Sequence, residues 1–357
     1  FFLNKYTYWG SLVNHRALTQ RFTAAEGSIE ELKKSFEGLS VVSEELSENV
    51  DGLSSALENA GIGKDIHITC WGDSLTAGGG WTTTLAALSG ATVHNGGTGG
   101  ENARCIAARQ GADVMTINNI TIPAECEPVT IAVRAEDTGI TTEWGYKVTP
   151  LLQGGSHVNP VDIGGVLGTL RWTGANYADQ TGIWTFTRSE AGEEVAITRP
   201  TAIRTAFDRE RNGKSEIMVI FIGQNGGYTD IDDLIRTHRL MIDHFKGKEY
   251  VILGLSSGTA AQRADYEAAM TEAFGRRFVS LRAYLAHPIY DTDGKTIISC
   301  YGLDDAGLDP TDADIERIKN GQVPQTLLSD SVHYTAETKT VIGTMLYKKM
   351  VELGILE

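Results

Sequence analysis

Two short apolar runs, each stopping abruptly in a glycine-rich loop, set the architecture of this chain. Ile66-His67-Ile68-Thr69-Cys70-Trp71 leads into Gly72-Asp73-Ser74, and Glu216–Ile222 leads into Gly223-Gln224-Asn225-Gly226-Gly227. A near-continuous apolar run of this length suits a strand buried on both faces, as in a parallel sheet. Strand and helix patterns alternate around the two runs. Trp81–Leu88 reads as a helix, Ala91–His94 as a strand, Ile231–Phe245 as an amphipathic helix and Tyr250–Leu255 as a strand. Ala261–Phe274 reads as a helix, Phe278–Leu281 as a short strand and Thr335–Leu353 as the closing helix. Such alternation predicts an α/β domain, a parallel sheet covered by helices on both faces.

Residues 111–211 break that rhythm. Short alternating runs recur at Thr116–Ile122, Val129–Val133, Gly168–Trp172, Trp184–Thr187 and Glu194–Thr198, separated by turn residues. They predict an all-β module, a small sandwich or barrel, inserted between the second and third strands of the α/β domain. It carries Trp144, Tyr146, Trp172, Tyr177 and Trp184. Aromatic rings fill β cores and also stack on sugars, so Trp144, Trp172 and Trp184 are candidate substrate-binding residues.

Ahead of the α/β domain lies a heptad. Ile29, Phe36, Ser43, Val50 and Leu57 share one position and Leu32, Leu39, Leu46 and Leu53 the other, with intervening Glu, Ser, Lys and Asn. That 3.5-residue period keeps one seam toward a partner helix and predicts a coiled coil. Gly38 and Gly52 each weaken the helix by about 1 kcal/mol relative to Ala, so partner contacts have to compensate. The expected organisation is a leader at 1–22, a coiled-coil oligomerisation helix at 23–62, α/β parts at 63–110 and 212–357, and the β-rich insert at 111–211.

The formal net charge of −15 over 357 residues disfavours nucleic acid and anionic membranes as partners. No apolar run approaches the ~20 residues of a membrane span. The first residues, Phe1-Phe2-Leu3-Asn4-Lys5, hold neither an initiator Met nor a signal-peptide core. Cys70, Cys105, Cys126 and Cys300 lack CxxC spacing, which predicts free thiols and no zinc site. No HExxH, P-loop or dinucleotide fingerprint occurs, and no metal or organic cofactor is expected.

Four sites carry chemistry. Ser74 follows the first strand at the start of a helix, where unpaired N–H groups favour an oxyanion. Asn95-Gly96-Gly97-Thr98-Gly99-Gly100-Glu101 follows the second strand as a turn whose glycines admit close backbone approach. Asn225 follows the strand Glu216–Ile222 and can donate a side-chain amide to developing negative charge. Asp330-Ser331-Val332-His333 precedes the last helix and offers a carboxylate and an imidazole, a base held by an acid.

In that order the four segments resemble the SGNH, or GDSL-type, hydrolases. Gly72-Asp73-Ser74-Leu75 matches the first block of that family. Asn95 to Gly100 matches the second, with Gly99 an alternative to Gly100. Asn225 matches the third, although Gly226 stands where the family usually has Asp. Asp330 to His333 matches the last. The resemblance covers roughly residues 65–110 and 215–353. It implies a flavodoxin-like three-layer α/β/α fold and a serine esterase without cofactor. Ser74, Asp330 and His333 would form the triad, and Ser74, Gly100 and Asn225 the oxyanion hole. Asp73 would shape the loop, while His67, His94, His157 and His287 would be structural or exposed.

The aromatic insert and the heptad favour a small acyl group, such as O-acetyl, on a carbohydrate. The whole architecture resembles phage tail-fibre or tailspike deacetylases acting on bacterial surface glycans. That resemblance implies a homo-oligomer through residues 29–57, a trimer, and an extracellular or virion-associated setting. Two alternatives stay open: a lipid esterase or thioesterase on the same fold, and a non-catalytic glycan-binding tail or adhesin module.

Overall fold

The computed structural model describes residues 21, 25–39, 42, 66–134, 140–155, 157–176, 179–211 and 214–356. The chain divides into two compact units, Phe1–Lys64 and Asp65–Glu357. In the first, residues 25–39 form one helix, α1. Its heptad members Ile29, Leu32, Phe36 and Leu39 are exposed. Ser43, Leu46, Val50, Leu53 and Leu57 lie outside the described residues, as does nearly all of the leader 1–22. Among the described residues no helix is long and apolar enough to cross a membrane.

The second unit opens with strand β1 (His67–Gly72), helices α2 (Ser74–Ala77) and α3 (Trp81–Ser89), strand β2 (Thr92–Gly97) and helix α4 (Ala103–Gln110). Nine strands follow. They are β3 (Met115–Ile117), β4 (Ile120–Ile122), β5 (Val129–Val133), β6 (Thr141–Thr142) and β7 (Val161–Ile163), then β8 (Val166–Thr173), β9 (Ile183–Arg188), β10 (Val195–Ile197) and β11 (Thr201–Arg204). Helix α5 (Ala206–Arg211) returns the chain to β12 (Ile217–Phe221), α6 (Ile231–Phe245), β13 (Glu249–Leu253), α7 (Ala260–Phe274) and β14 (Phe278–Val279). Helix α8 (Leu281–Leu285), the hairpin of β15 (Pro288–Tyr290) and β16 (Ile297–Cys300), and helices α9 (Tyr301–Ala306), α10 (Asp312–Lys319) and α11 (Ala336–Glu352) complete it.

A five-stranded sheet in the order β14-β13-β12-β1-β2 is parallel throughout. Successive side chains of a strand face opposite sides, and each side here meets a helical layer. Ile68, Cys70, Val219, Phe221 and Leu253 pack with Trp81 and Leu85 of α3 and Ile342 and Leu346 of α11. Trp71, Met218, Ile220 and Ile252 pack with Ile106 of α4, Leu234 and Met241 of α6 and Met270 of α7. Gly343 permits the close approach of α11 to α3, because a Cβ there would lie 2.6 Å from both Thr84 Cβ and Trp81 O. The chain leaves β1 toward β2 on one side, and later places β12 on the other. The order therefore reverses beside β1, the place where open α/β sheets bind ligands at their strand C-termini.

Strands β3 to β11 form a seven-stranded antiparallel sheet, β5-β9-β8-β7-β11-β3-β6, and a separate β10–β4 pair. Their core holds Met115, Ile122, Val161, Leu170, Trp184, Phe186 and Ile203, together with Cys105 and Ala108 of α4. Helix α4 is thus shared between two cores, which ties this β-rich segment to the parallel sheet.

Three expectations need correction. The run Thr116–Ile122 is two strands, broken at Asn118-Asn119, where Asn119 takes φ 56°. The strand read as Ala91–His94 runs on through Asn95-Gly96-Gly97, pairing Gly97 with Gly72. Glycine is needed there for close packing within a strand: a Cβ on Gly97 would lie 2.1 Å from the Ala77 backbone nitrogen. Phe278–Leu281 is a strand only at Phe278–Val279, since Ser280 caps α8 by accepting from the Ala283 N–H. Cys70, Cys105 and Cys300 are buried free thiols, and Cys126 is an exposed one.

Candidate active site

Ser74 stands at the reversal point because β1 ends one residue before a tight turn. Gly72 closes the strand where a Cβ would lie 2.1 Å from Thr76 Oγ1 and 2.7 Å from Phe221 O. Asp73 then caps α2. Its Oδ1 accepts from the Leu75 N–H at 2.9 Å, and its carbonyl accepts from Thr76 and Ala77 at 3.1 and 2.8 Å. This is the loop-shaping role expected of Asp73. Burial pushes its carboxyl up to about 6, against the opposing pull of the Leu75 N–H and the His333 ring. Among the described residues the Ser74 and Gly100 backbone N–H groups have no acceptor, so both remain available to a ligand.

The imidazole arrives from 259 residues away. Ahead of α11 the segment Ser329–His333 folds into a turn, with the Ser329 N–H donating to His333 O at 2.8 Å. Asp330 Oδ1 accepts from the Val332 and His333 N–H groups, both at 2.7 Å. Its Oδ2 lies 2.7 Å from His333 Nδ1, and His333 Nε2 lies 2.9 Å from Ser74 Oγ. An ionised carboxylate only accepts, so the proton sits on Nδ1 and Nε2 is left to accept from the serine hydroxyl. The His333 backbone N–H, then its ring, hold the Asp330 carboxyl well below the usual carboxylate range. Tyr334 is buried beside this turn and donates its hydroxyl to Ser256 Oγ, which anchors the segment to the loop after β13.

Asn225 follows β12 through Gly223, whose φ of 105° needs glycine. Its Nδ2 donates to Glu101 O at 3.1 Å and approaches Asp73 Oδ2 at 3.4 Å. The loop carrying Gly100 is tied to β1 by the Thr98 N–H donating to Gly72 O at 3.0 Å. On it, Gly100 has φ 69°, and a Cβ on Gly99 would lie 3.9 Å from Ser74 Cβ. Asn95 donates Nδ2 to Thr76 O at 2.8 Å and fastens α2 to β2. The structure therefore gathers Ser74, Gly100, Asn225, Asp330 and His333 around one spot at the C-terminal end of the parallel sheet.

Sequence reasoning missed a buried ion pair beneath that spot. Arg109 Nε donates to Glu101 Oε2 at 2.8 Å, and its Nη2 donates to Gly96 O at 2.8 Å. The guanidinium also lies 5.2 Å from the Trp71 ring centroid. Both side chains are almost fully buried. The pair fixes the residue whose carbonyl holds Asn225, and loss of one partner would leave an unpaired buried charge costing about 3–5 kcal/mol. The eight-residue spacing of the two carries no periodic signal that would reveal it.

The tryptophans separate. Trp184 is 1% exposed and donates Nε1 to Pro150 O at 2.7 Å, so it fills the β core and has no face for substrate. Trp172 is half-buried against it, ring centroids 4.6 Å apart. Trp144 is 55% exposed, with the Arg236 guanidinium 4.9 Å from its ring centroid. His67, His94, His157 and His287 lie away from the triad contacts. Among the described residues no group of three or more His, Cys, Asp or Glu side chains could hold a metal ion.

No protein-family model and no curated protein matches this chain. A solved structure from Desulfitobacterium hafniense DCB-2, assigned by its description to the G-D-S-L family of lipolytic proteins, is similar at 11% identity. The match covers 79% of this chain and 98% of that one, with a TM-score of 0.36. A likeness that slight carries no argument about chemistry, which rests on the side-chain geometry above.

Proposed function

We propose that this chain is a serine hydrolase of carboxylic esters, with Ser74 as nucleophile, His333 as general base and Asp330 as the group that orients it. The observation that carries the reading is the unbroken line Asp330 Oδ2–His333 Nδ1 and His333 Nε2–Ser74 Oγ, at 2.7 and 2.9 Å. Ser74 Oγ attacks the ester carbonyl while its proton passes to His333 Nε2. The Ser74 and Gly100 N–H groups and the Asn225 amide receive the oxyanion. Collapse breaks the ester C–O bond, and His333 returns the proton to the departing alcohol. Water, deprotonated by His333, then attacks the acyl-serine, and the acyl–Oγ bond breaks as His333 returns that proton to Ser74 Oγ.

The substrate in this reading is a small acyl group, O-acetyl, on a carbohydrate. Two observations support it. A cavity of about 60 Å³, lined among others by Gln224, Ser257, Ser331 and Val332, flanks the residues that carry the site. A space that small has no room for a long acyl chain. Trp144, the most exposed of the three candidate tryptophans at 55%, is an aromatic side chain of the kind that stacks on sugars. In the same reading the chain self-associates through residues 29–57 as a trimer and works outside cells or on a virion. The exposure of Ile29, Leu32, Phe36 and Leu39 supports a partner for that helix.

The test is acetate release from a panel of O-acetylated bacterial polysaccharides, with Ser74→Ala as control. The reading expects Ser74-dependent release from at least one polymer and p-nitrophenyl acetate turned over faster than p-nitrophenyl octanoate. A preference for the octanoate would overturn the carbohydrate assignment.

A further inference from the structure

We propose that Gln153, a residue of the β-rich segment, forms a wall of the active site and contacts the bound ester beside Gly100; this rests on the ester-hydrolase reading above. The carboxamide lies directly against the loop that carries the Gly100 donor. A Cβ on Gly100 would stand 1.7 Å from Gln153 Oε1, 2.3 Å from Cδ and 2.6 Å from Nε2. The other end of the same dipeptide, Gly99, faces Ser74 Cβ. Two glycines thus bridge the nucleophile and the carboxamide. Gln153 is exposed, and among the described residues its side-chain amide has no hydrogen-bond partner.

The segment around it is held from several sides. The Leu152 N–H donates to Thr149 O at 3.3 Å and the Gly154 N–H to Leu151 O at 3.1 Å, two successive turns. Leu151 takes φ 65°, a conformation that a bulky side chain adopts only under constraint. The constraint is visible. Buried Trp184 donates to Pro150 O at 2.7 Å, and Thr149 Oγ1 lies 3.8 Å from Cys105 Sγ on α4. The residue that cannot itself touch a sugar, Trp184, therefore fixes the loop whose tip reaches the site. A carboxamide presents two N–H donors and one acceptor. It suits a neutral ester flanked by hydroxyl groups, and a negative charge in its place would oppose the forming oxyanion.

The experiment compares wild type, Gln153→Ala and Gln153→Glu on p-nitrophenyl acetate, with kcat and KM resolved and folding checked by circular dichroism. Gln153→Ala is expected to lower kcat/KM about 3- to 10-fold, the worth of one hydrogen bond. Gln153→Glu, nearly the same size, is expected to lower it about 100-fold, because a carboxylate then faces the oxyanion. A residue that merely packs on Gly100 gives the opposite order, with Gln153→Glu near wild type and Gln153→Ala impaired. That order, or both variants within about two-fold of wild type, overturns the proposal. A wild type without Ser74-dependent hydrolysis overturns the hydrolase reading and this inference with it. An active wild type with unaffected Gln153 variants overturns this inference alone.

Discussion

The parallel sheet and the antiparallel β-rich segment are both dense in β-branched and aromatic residues, yet they deploy them differently. In β12 every residue is buried, because helical layers cover both faces, so nothing on the strand is left to meet a substrate. The proposed chemistry falls to the loops at its C-terminal edge, where Ser74, Gly100 and Asn225 gather. In β9 burial alternates: Trp184 and Phe186 point inward and their neighbours do not. The role of an aromatic residue in such a strand follows from its parity in the pleat, not from composition. Outside the strands no such parity applies: Trp144, in the turn after β6, is 55% exposed, whereas Trp184 in β9 is 1% exposed.

The sharpest way to break this contrast is substitution at the strand ends. Ser74→Ala should lower kcat by about 10⁶ and His333→Ala by a similar factor, with the double variant no worse than either alone. Steady-state turnover of p-nitrophenyl acetate measures it. Additive losses would mean the two residues do not act as a unit. Next in size is Trp184→Ala, which should cost about 3–5 kcal/mol of stability by emptying the β core. Trp144→Ala should change stability by less than about 0.5 kcal/mol. Urea denaturation decides, and equal costs would erase the distinction between the two rings. Asn225→Ala should lower kcat about 10²- to 10³-fold with KM little changed, the signature of a donor used in the transition state. A KM effect with kcat intact would make Asn225 a binding residue instead.

A further effect, one that depends on pH, concerns Asp73. Its carboxyl sits at about 6 in the folded chain against about 3.9 unfolded. The folded state thus holds this proton more tightly, so ionisation lowers stability as pH rises from about 4 through 6. The loss is at most about 3 kcal/mol and levels off above that range. Asp73→Asn keeps a capping acceptor and removes the titration. Its stability relative to wild type should therefore rise between pH 4 and pH 7 in denaturant titrations. A difference that stays constant with pH would show that Asp73 is not desolvated as described.

The strands of the parallel sheet are legible in sequence because burial on both faces leaves near-continuous apolar runs, and glycines mark where they stop. Ser74 and Asn225 stand immediately beside such marks, and Asp330 and His333 form a short acid–base pair just ahead of the closing helix, so local pattern is enough to nominate them. Other parts depend on contacts that no local pattern encodes. Glu101 and Arg109 need the α4 fold and the Trp71 ring to become a buried pair. Gln153 sits in a stretch with turn composition, and its nearness to Gly100 appears only when the β-rich segment shares α4 with the sheet. The continuation of β2 through Asn95-Gly96-Gly97 is hidden for a related reason: glycine signals a turn locally, whereas here it answers the approach of α2 and Phe207. Composition likewise nominated three tryptophans and could not sort them.

The central claim is that His333 makes the Ser74 oxygen nucleophilic. The most direct test is covalent labelling with a fluorophosphonate probe, with the adduct mapped by mass spectrometry. The account predicts one adduct per chain on Ser74, absent in Ser74→Ala and formed far more slowly in His333→Ala. No adduct on the wild type, or an adduct that persists in Ser74→Ala, would contradict it.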